Sequence, residues 1–275
     1  MIGRENLYLP EIGRIPRFWD IISLRQSKLL ALDYDGTLAP FHVNRMEARP
    51  LKGIPELLRK ISLREDTTLA VISGRPLDEL EMLLKPWKGI MIGSHGFEKR
   101  YCSGQVFIKK ISLRQQEGLS HAHTLALDRG MEAHIEKKPA SIAFHTRGAE
   151  KRLAVRLEGE IAAEWTGIAS RCSLEVRKFK GGVEVLARGW NKGDALEELL
   201  RDEPKETFCV YIGDNSTDED AFRRIRSSGI GIRVGNRETP TAARGLLPDI
   251  PAVKGFLDAW VNLPLKSGRE RCHEA

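Results

Sequence analysis

Residues Leu29 to Leu38 read Leu-Leu-Ala-Leu-Asp-Tyr-Asp-Gly-Thr-Leu. The four apolar residues at the start predict a strand buried on both faces, which the chain leaves through two aspartates, a glycine and a threonine. Carboxylates as close in the chain as Asp33 and Asp35 repel each other, so we expect a positive group beside them, most simply a metal ion. An acidic turn after a strand is the plain alternative, and the rest of the chain decides between the two.

The residues after this stretch alternate between helical and strand patterns. Apolar residues at helical spacing predict helices over 54–61 and 76–84, and continuous apolar runs predict strands over 68–72 and 89–92. Helices between strands of this kind are typical of a parallel sheet with helices on its faces. The two strands lead into polar turns with the sequences Ser73-Gly74-Arg75 and Gly93-Ser94-His95-Gly96.

The same alternation resumes near the C-terminus. A helix is predicted over 192–200, followed by a strand over Phe208–Ile212 that leads into Gly213-Asp214-Asn215. The next helix is expected to begin with Thr217 and Asp220 in a capping box and to end at Gly229. Its core face is formed by Ala221, Phe222 and Ile225, and Ile230–Val234 is predicted as the last strand of the sheet.

The middle of the chain follows a different pattern. The predicted elements are a hairpin over 101–106, a helix over about 113–135, a half-exposed strand over 141–147 and a helix over 149–166 with Leu153, Leu157, Ile161 and Trp165 on one face. Two further segments, Leu174–Arg177 and Gly182–Leu186, alternate around Lys180-Gly181-Gly182, which predicts antiparallel pairing. Such a mixture indicates a small α+β insert.

We therefore predict an α/β fold, a Rossmann-like doubly wound parallel sheet with an inserted smaller α+β cap domain. The expected core comprises residues 1–107 and 187–275, and the expected cap comprises residues 108–186. Residues 1–28 are interpreted as a lead-in, and the polar tail after Pro264 as a frayed end. The lead-in helix is expected to pack four apolar residues against the body, namely Phe18, Trp19, Ile22 and Leu24.

The composition is that of an ordinary globular protein, with 41% hydrophobic and 30% charged residues among 275. The net charge of +6 is spread along the chain, which argues against nucleic acid as a partner. No apolar run approaches the roughly 20 residues that cross a membrane, and charged residues interrupt any signal core at the N-terminus. The four cysteines lie far apart in the sequence, which indicates reduced thiols and a cytoplasmic location.

Reactive side chains are expected to gather at one edge of the sheet, because the carboxyl ends of parallel strands meet there and ligands bind there. Converging carboxylates suit Mg²⁺, and lysine, serine and helix N-termini suit phosphate oxygens. Together they predict phosphoryl transfer. The residues concerned are Asp33, Asp35, Ser73, Lys192, Asp214 and Asp218.

Four motifs in this order resemble those of the haloacid dehalogenase superfamily of phosphatases: Asp33-Tyr34-Asp35-Gly36-Thr37, Ser73-Gly74-Arg75, Asn191-Lys192-Gly193 and Gly213-Asp214-Asn215-Ser216-Thr217-Asp218. The resemblance implies Asp33 as nucleophile and Asp35 as general acid and base. It implies that Ser73 and Lys192 stabilise the phosphate. It also implies Mg²⁺ held by Asp33, the Asp35 backbone carbonyl and Asp214, with Asp218 in support.

A narrower resemblance is to the trehalose-6-phosphate phosphatases. It is carried by His95-Gly96 with Glu98, by residues 136–147, by Val183-Glu184-Val185 and by residues 213–219. It implies that Glu136, Lys138 and Glu184 bind sugar hydroxyls. The chain departs from the pattern at Leu186-Ala187-Arg188, where relatives often have a basic residue and a proline. The other residues expected to contact the substrate are Thr37, Gly74, Arg75, His95, Gly96, Asn191 and Asn215.

The resemblance predicts a phosphoric monoester hydrolase that acts on a small sugar phosphate, trehalose 6-phosphate in the first place, through an aspartyl-phosphate intermediate. A trehalose-6-phosphate synthase in the same pathway is the expected partner, and no nucleic acid or membrane partner is expected. The alternatives are a capped phosphatase for sucrose phosphate or a glycosyl-3-phosphoglycerate, a phosphomutase, or a non-catalytic regulatory domain that binds sugar phosphates.

Overall fold

The computed structural model describes residues 17–179, 181–236 and 240–265. Predictions for the start of the lead-in, for Lys180 and for most of the tail after Pro264 lie outside the described residues. In chain order the elements are α1 (Phe18–Ser23), β1 (Lys28–Leu32), α2 (Ile54–Ser62), β2 (Thr67–Ile72), α3 (Leu77–Leu84), β3 (Ile90–Gly93), β4 (Glu98–Arg100), β5 (Val106–Ile108), α4 (Leu113–Asp128), β6 (Ile135–Lys138), β7 (Ser141–His145), α5 (Lys151–Cys172), β8 (Leu174–Phe179), β9 (Gly182–Ala187), α6 (Lys192–Arg201), β10 (Phe208–Gly213), α7 (Asp218–Arg224), β11 (Gly229–Val234), β12 (Gly245–Leu247) and α8 (Ile250–Val261).

The elements form two compact units. Within the described ranges, the larger unit comprises residues 17–96, Arg100–Gln105, 191–236 and 240–265. The smaller unit comprises Phe97–Lys99 and Val106–Trp190. The predicted limits of 108–186 for the cap, and of 1–107 and 187–275 for the core, stay a prediction.

The larger unit is built on parallel strands in the order β12-β11-β10-β1-β2-β3. β1 lies between β2 and β10, and its last residue, Leu32, pairs with Val71 on one side and Ile212 on the other. The strands that follow β1 extend the sheet in one direction, and the strands from the C-terminal half extend it in the other. The end of β1 is therefore the point at which the strand order reverses, where open α/β sheets bind ligands.

Helices cover both faces of this sheet. Leu30 and Leu32 point into a core shared with α1, α2, α3 and α8, whereas Leu29 and Ala31 point into a core shared with α6 and α7. The helices bury one apolar stripe each, as α2 shows with four buried residues at helical spacing. The predicted doubly wound α/β fold is thus confirmed.

Three local predictions in the larger unit are wrong. Leu24 lies just beyond α1 and is 69% exposed. Thr217 forms no capping box, because its own backbone is helical (φ −74°, ψ −19°) and its hydroxyl donates to Asn215 Oδ1 at 2.6 Å instead. The helix it precedes ends at Arg224, so Gly229 begins β11 and does not end a helix.

Ile230–Val234 is also not the last strand of the sheet. β12 follows it and pairs in parallel with β11, with Val234 opposite Leu247. α8 is capped by Asp249, whose side chain accepts the Ala252 N–H at 2.8 Å, and Pro251 lies in the first turn of the helix. This helix buries four residues at helical spacing, Val253, Phe256, Leu257 and Trp260.

The smaller unit is an antiparallel sheet in the order β6-β7-β9-β8. α4 and α5 share its core, in which Trp165 is fully buried and donates its indole N–H to Ala122 O at 3.1 Å. The predicted pairing of β8 with β9 is observed, from Leu174 opposite Ala187 to Phe179 opposite Gly182. The predicted α+β insert is therefore confirmed as a class of structure.

The prediction of secondary structure was less accurate within this unit. The helix predicted to residue 135 ends at Asp128, because Gly130 takes a positive φ of 68°. Its N–H then bonds to Leu127 O and the N–H of Met131 to Ala126 O, a common helix end. β6 occupies part of the segment assigned to that helix. β7 is mostly buried where a half-exposed strand was expected, and α5 continues to Cys172 with Leu153 partly exposed in its first turn.

Two expectations about the whole chain concern cysteines and membranes. Cys102, Cys172 and Cys209 are free thiols, and Cys272 lies outside the described residues. Burial raises the pKa of the Cys209 thiol. Within the described ranges, none of the helices is both long and apolar enough to span a bilayer.

Candidate active site

The chain turns sharply where β1 ends. Asp33 is buried at 2% exposure, and Gly36 adopts a positive φ of 79°. A Cβ atom on Gly36 would lie 2.1 Å from Asp214 Oδ2, so only glycine allows the two acidic loops to approach so closely. This contact explains in physical terms why a glycine follows the two aspartates.

Lys192 lies between two buried carboxylates. Its Nζ donates to Asp33 Oδ1 and to Asp218 Oδ1, both at 2.8 Å. Burial would lower the pKa of Lys192, but the charges of Asp218 and Asp33 raise it above its ordinary value. The lysine is held in place because Asn191 and Asp194 form a capping box at the start of α6.

Asp218 is fully buried and acts as a hub for hydrogen bonds. Its Oδ1 also accepts from the Tyr211 hydroxyl at 2.7 Å, and its Oδ2 accepts from the Asn215 backbone N–H at 2.9 Å. Both oxygens are therefore occupied by protein donors. Asp218 orients Lys192 and the loop around Asn215. Its supporting role at a metal site stays a prediction.

Tyr211 was not predicted as part of the site. It stands in the apolar run of β10, where its hydroxyl must find a partner once the residue is buried. Its pKa is raised well above the ordinary value, first by burial and then by the charge of Asp218. A tyrosine in a strand that leads directly to an acidic loop was the available signal.

Carboxylate oxygens of Asp33, Asp214 and Asp218 lie within 4.8 Å of one another. Among the described residues, Asp33 Oδ2 and Asp214 Oδ1 are buried and have no hydrogen-bond partner. Burial and the charge of Asp218 raise the pKa of Asp33 well above its usual range, and the same causes raise that of Asp214 to about 7. The three carboxylates of this cluster outnumber the one ammonium that contacts them, that of Lys192, and they offer buried oxygen donors, so these residues fit a hard divalent cation such as Mg²⁺.

A pH prediction follows for the metal-free protein. Because the folded-state pKa of Asp214 lies above its unfolded value, its contribution to stability is present below about pH 4 and is lost as the pH rises through about 7. The Asp214→Asn variant has no carboxyl group to titrate at this position. The free energy of unfolding of the wild type, relative to that of the variant, should therefore fall between about pH 4 and about pH 8. Thermal unfolding in chelator measures the difference. Curves that stay parallel across this range would contradict the prediction.

The carboxylate of Asp35 lies in a different environment from that of Asp33. It accepts two hydrogen bonds from Arg75, at 2.6 and 2.7 Å. Arg75 was expected to contact the substrate, and here its guanidinium is engaged with Asp35 and Glu79. The backbone carbonyl of Asp35 as a metal ligand stays a prediction.

The turn after β2 carries the predicted phosphate residues. Ser73 is buried, and its Oγ accepts the Arg75 N–H at 3.2 Å. A Cβ atom on Gly74 would lie 2.5 Å from the ring of His95, which itself has a positive φ of 57°. The Oγ of Thr37 is buried without a partner among the described residues. Contacts of these residues with a substrate, and of Gly96, stay predictions.

The two predicted asparagines serve the backbone in this structure. Asn191 Oδ1 accepts the N–H groups of Gly193 and Asp194, at 2.8 and 3.1 Å. Asn215 Oδ1 accepts the N–H and hydroxyl of Thr217. Both residues shape the loops around Lys192 and Asp214, and a direct contact with substrate stays a prediction for each.

The smaller unit brings its three predicted sugar-binding residues together. Glu136 pairs with Ala143, and Ala143 with Glu184, across three adjacent strands. Lys138 Nζ lies 2.9 Å from Glu184 Oε1 and 3.9 Å from Glu136 Oε2. Ser141, which was not predicted, donates to Glu184 Oε1 at 2.6 Å. The result is a compact charged cluster on one face of the sheet, of the kind that can form directional hydrogen bonds with hydroxyls.

The doubly wound sheet with its α+β insert is a fold shared with a solved haloacid dehalogenase-like hydrolase of B. subtilis, at a TM-score of 0.60 and 17% identity over 84% of this chain and 99% of that one. A family model described as trehalose-phosphatase matches residues 31–246. The chain therefore belongs to the trehalose-phosphatase family and is a phosphoric monoester hydrolase.

Relatives and solved structures agree with this placement. The chain is 31% identical over 232 residues to a probable trehalose-phosphate phosphatase of Sinorhizobium fredii, with 84% of this chain and 86% of that one covered. It is 29% identical over 234 residues to a bifunctional trehalose-6-phosphate synthase/phosphatase of Thermoproteus tenax, and spans 84% of its own length but only 31% of that relative. The C-terminal domain of the C. albicans trehalose-6-phosphate phosphatase has the same fold, with a TM-score of 0.80 at 22% identity over 94% of this chain and 100% of that one.

Proposed function

We propose that the chain is a Mg²⁺-dependent phosphatase that hydrolyses trehalose 6-phosphate to trehalose and phosphate. The observation that carries the proposal is the environment of the buried Asp33. Its Oδ1 accepts a hydrogen bond from Lys192, and its Oδ2 has no hydrogen-bond partner in the described part of the chain. That oxygen is the natural nucleophile. The family of the chain supports the choice of sugar.

The proposed reaction has two displacements at phosphorus. Asp33 forms a bond to phosphorus as the bond from phosphorus to the sugar oxygen breaks, and Asp35 gives a proton to that oxygen. Asp35 then takes a proton from water as the water oxygen bonds to phosphorus. The bond from phosphorus to Asp33 breaks, which frees the Asp33 carboxylate and releases inorganic phosphate. Lys192 and Ser73 stabilise the charge on the phosphate oxygens.

The metal has a defined place in this proposal. Asp33, Asp214 and the backbone carbonyl of Asp35 would hold Mg²⁺, while Asp218 holds the loop that carries Asp214. When bound, the ion would neutralise charge on the phosphate oxygens. The unpartnered Oδ1 of Asp214 supports this assignment.

The other residues implied by the resemblance complete the proposed substrate site. Glu136, Lys138 and Glu184 would bind the sugar hydroxyls, since the structure gathers them in one cluster. A trehalose-6-phosphate synthase is the proposed pathway partner. The Thermoproteus tenax relative, whose name joins both activities, supports it. Contacts to the phosphate or to the nearest sugar are assigned to Thr37, Gly74, Arg75, His95, Gly96, Asn191 and Asn215.

Sugar recognition predicts a selective loss of activity. Glu184→Ala is expected to lower kcat/KM for trehalose 6-phosphate by about 100-fold and that for 4-nitrophenyl phosphate by less than about threefold, since only the sugar meets the charged cluster. Glu136→Ala should behave in the same way. The control is Glu175→Ala on β8, whose carboxylate pairs with Arg177 and not with Lys138. Equal losses on both substrates would mean that the cluster does not bind the sugar.

A panel of sugar phosphates with Mg²⁺ tests the substrate. Trehalose 6-phosphate should give the highest kcat/KM. A higher value for sucrose phosphate or a glycosyl-3-phosphoglycerate would assign the chain to another capped sugar phosphatase. Binding of the sugar phosphates without release of phosphate from any of them would favour a regulatory domain.

A further inference from the structure

Arg75, which lies just before α3, forms a bidentate ion pair with Asp35, which lies just after β1. Its Nε donates to Asp35 Oδ2 at 2.6 Å, and its Nη2 donates to Asp35 Oδ1 at 2.7 Å. The side chains are only 6% and 18% exposed. Bidentate pairs of this type fix both the position and the plane of a carboxylate, in contrast to exposed single contacts.

Arg75 is itself held on several sides. Its Nη1 donates to Glu79 Oε2 at 3.2 Å, and Arg45 reaches the other oxygen of Glu79 at 2.6 Å. The guanidinium carbon lies 5.2 Å from the centre of the Tyr34 ring. Burial would lower the pKa of Arg75, but the hydrogen bonds and charge of Asp35 raise it. The guanidinium is therefore a charged group in a fixed place.

The two aspartates that leave β1 thus have separate cations. Asp33 is paired with Lys192 at 2.8 Å, and Asp35 with Arg75. The Asp35 carboxylate does not belong to the acidic cluster of Asp33, Asp214 and Asp218. Entry into that cluster would add a fourth carboxylate to a place already short of positive charge. Arg75 instead binds both carboxylate oxygens of Asp35.

We propose that Arg75 is a positioning residue for Asp35, which holds this carboxylate apart from the nucleophile and aimed at the leaving group. The inference rests on the proposed function and gives Arg75 a part in proton transfer besides any contact with phosphate. In the first displacement the bond from Asp33 to phosphorus forms, the bond from phosphorus to the sugar oxygen breaks, and the proton on Asp35 moves to that oxygen. The oxygen that carries this proton must give up its hydrogen bond from Arg75, while the second bond keeps the carboxyl group in place.

The dependence of the rate on the leaving group tests this role. A sugar oxygen leaves with a proton, whereas 4-nitrophenolate leaves without one, and kcat/KM reports the steps up to the aspartyl phosphate. Arg75→Gln is expected to lower kcat/KM for trehalose 6-phosphate by about 100-fold and that for 4-nitrophenyl phosphate by less than about 10-fold. Asp35→Asn should show the same pattern. The double variant should be no worse than Asp35→Asn alone, because both residues act through one proton transfer.

Arg64→Gln is the matched control. Arg64 is also buried and makes two hydrogen bonds to one carboxylate, that of Asp66, at 3.0 and 2.9 Å, before the start of β2. Its loss should lower the melting temperature and leave the ratio of the two kcat/KM values unchanged. Equal losses on both substrates in Arg75→Gln, or additive losses in the double variant, would overturn the inference. The proposed function fails by a different result, a wild-type protein that hydrolyses no sugar phosphate. The two failures are therefore distinct.

Discussion

Asp33→Asn is expected to abolish phosphate release from every substrate, with a loss in kcat of about 10⁴-fold or more. The amide has the size of the carboxylate but lacks the anionic oxygen that attacks phosphorus. The fold should persist, since burial and the charge of Asp218 already raise the pKa of Asp33 and disfavour its ionised form. In the absence of metal the variant should therefore melt no lower than the wild type.

Asp66→Asn provides the control for this experiment. Asp66 is as buried as Asp33 and also accepts from a buried lysine, Lys28, at 2.6 Å. It lies before the start of β2, away from the acidic cluster. This variant should lose stability but keep its turnover per folded molecule. Turnover by Asp33→Asn at the wild-type rate would rule out Asp33 as the nucleophile.

Lys192→Met is expected to have the second largest effect, on stability as well as on rate. Its ammonium lies 2.8 Å from both Asp33 and Asp218, and its loss leaves buried carboxylates without a cation. The free energy of unfolding in chelator should fall by about 3–5 kcal/mol. Mg²⁺ should restore part of this loss, because a cation in the cluster replaces some of the missing positive charge. Denaturant unfolding with and without Mg²⁺ measures both effects.

Lys28→Met is the control, because it removes a buried ion pair that lies away from the acidic cluster. Lys28 is fully buried against Asp66 but does not contact the acidic cluster. Its loss should be destabilising to a similar degree, with no recovery when Mg²⁺ is added. Equal recovery in the two variants would show that the ion does not bind beside Lys192.

The sequence predicted the parts of the fold that depend on local pattern. β1 and α2 were predicted to within a residue or two, because buried strands and amphipathic helices have distinct periods. β12 was missed since three residues carry no period, and α8 was missed although its cap and spacing were visible. The capping box at Thr217 failed because the loop, and not the motif, sets the backbone of that residue.

The candidate site was predicted as a set of residues but not as a network. Asp33, Lys192 and Asp218 come from three separate segments, and the structure brings them into hydrogen-bond contact. The pairing of Arg75 with Asp35 spans 40 residues and depends on where α3 begins, so no local pattern reveals it. The hydrogen bond from the Tyr211 hydroxyl to Asp218 was also not predicted, because Tyr211 stands in an apolar strand.

The most direct test of the account is the initial rate of phosphate release from trehalose 6-phosphate by the purified chain, with and without Mg²⁺. We expect rapid release with Mg²⁺ and a loss of about 100-fold or more when the ion is removed by a chelator and none is added back. Recovery on renewed addition of Mg²⁺ confirms that the protein remains folded. A folded protein that releases no phosphate from trehalose 6-phosphate, or releases it equally well without the ion, would contradict the account.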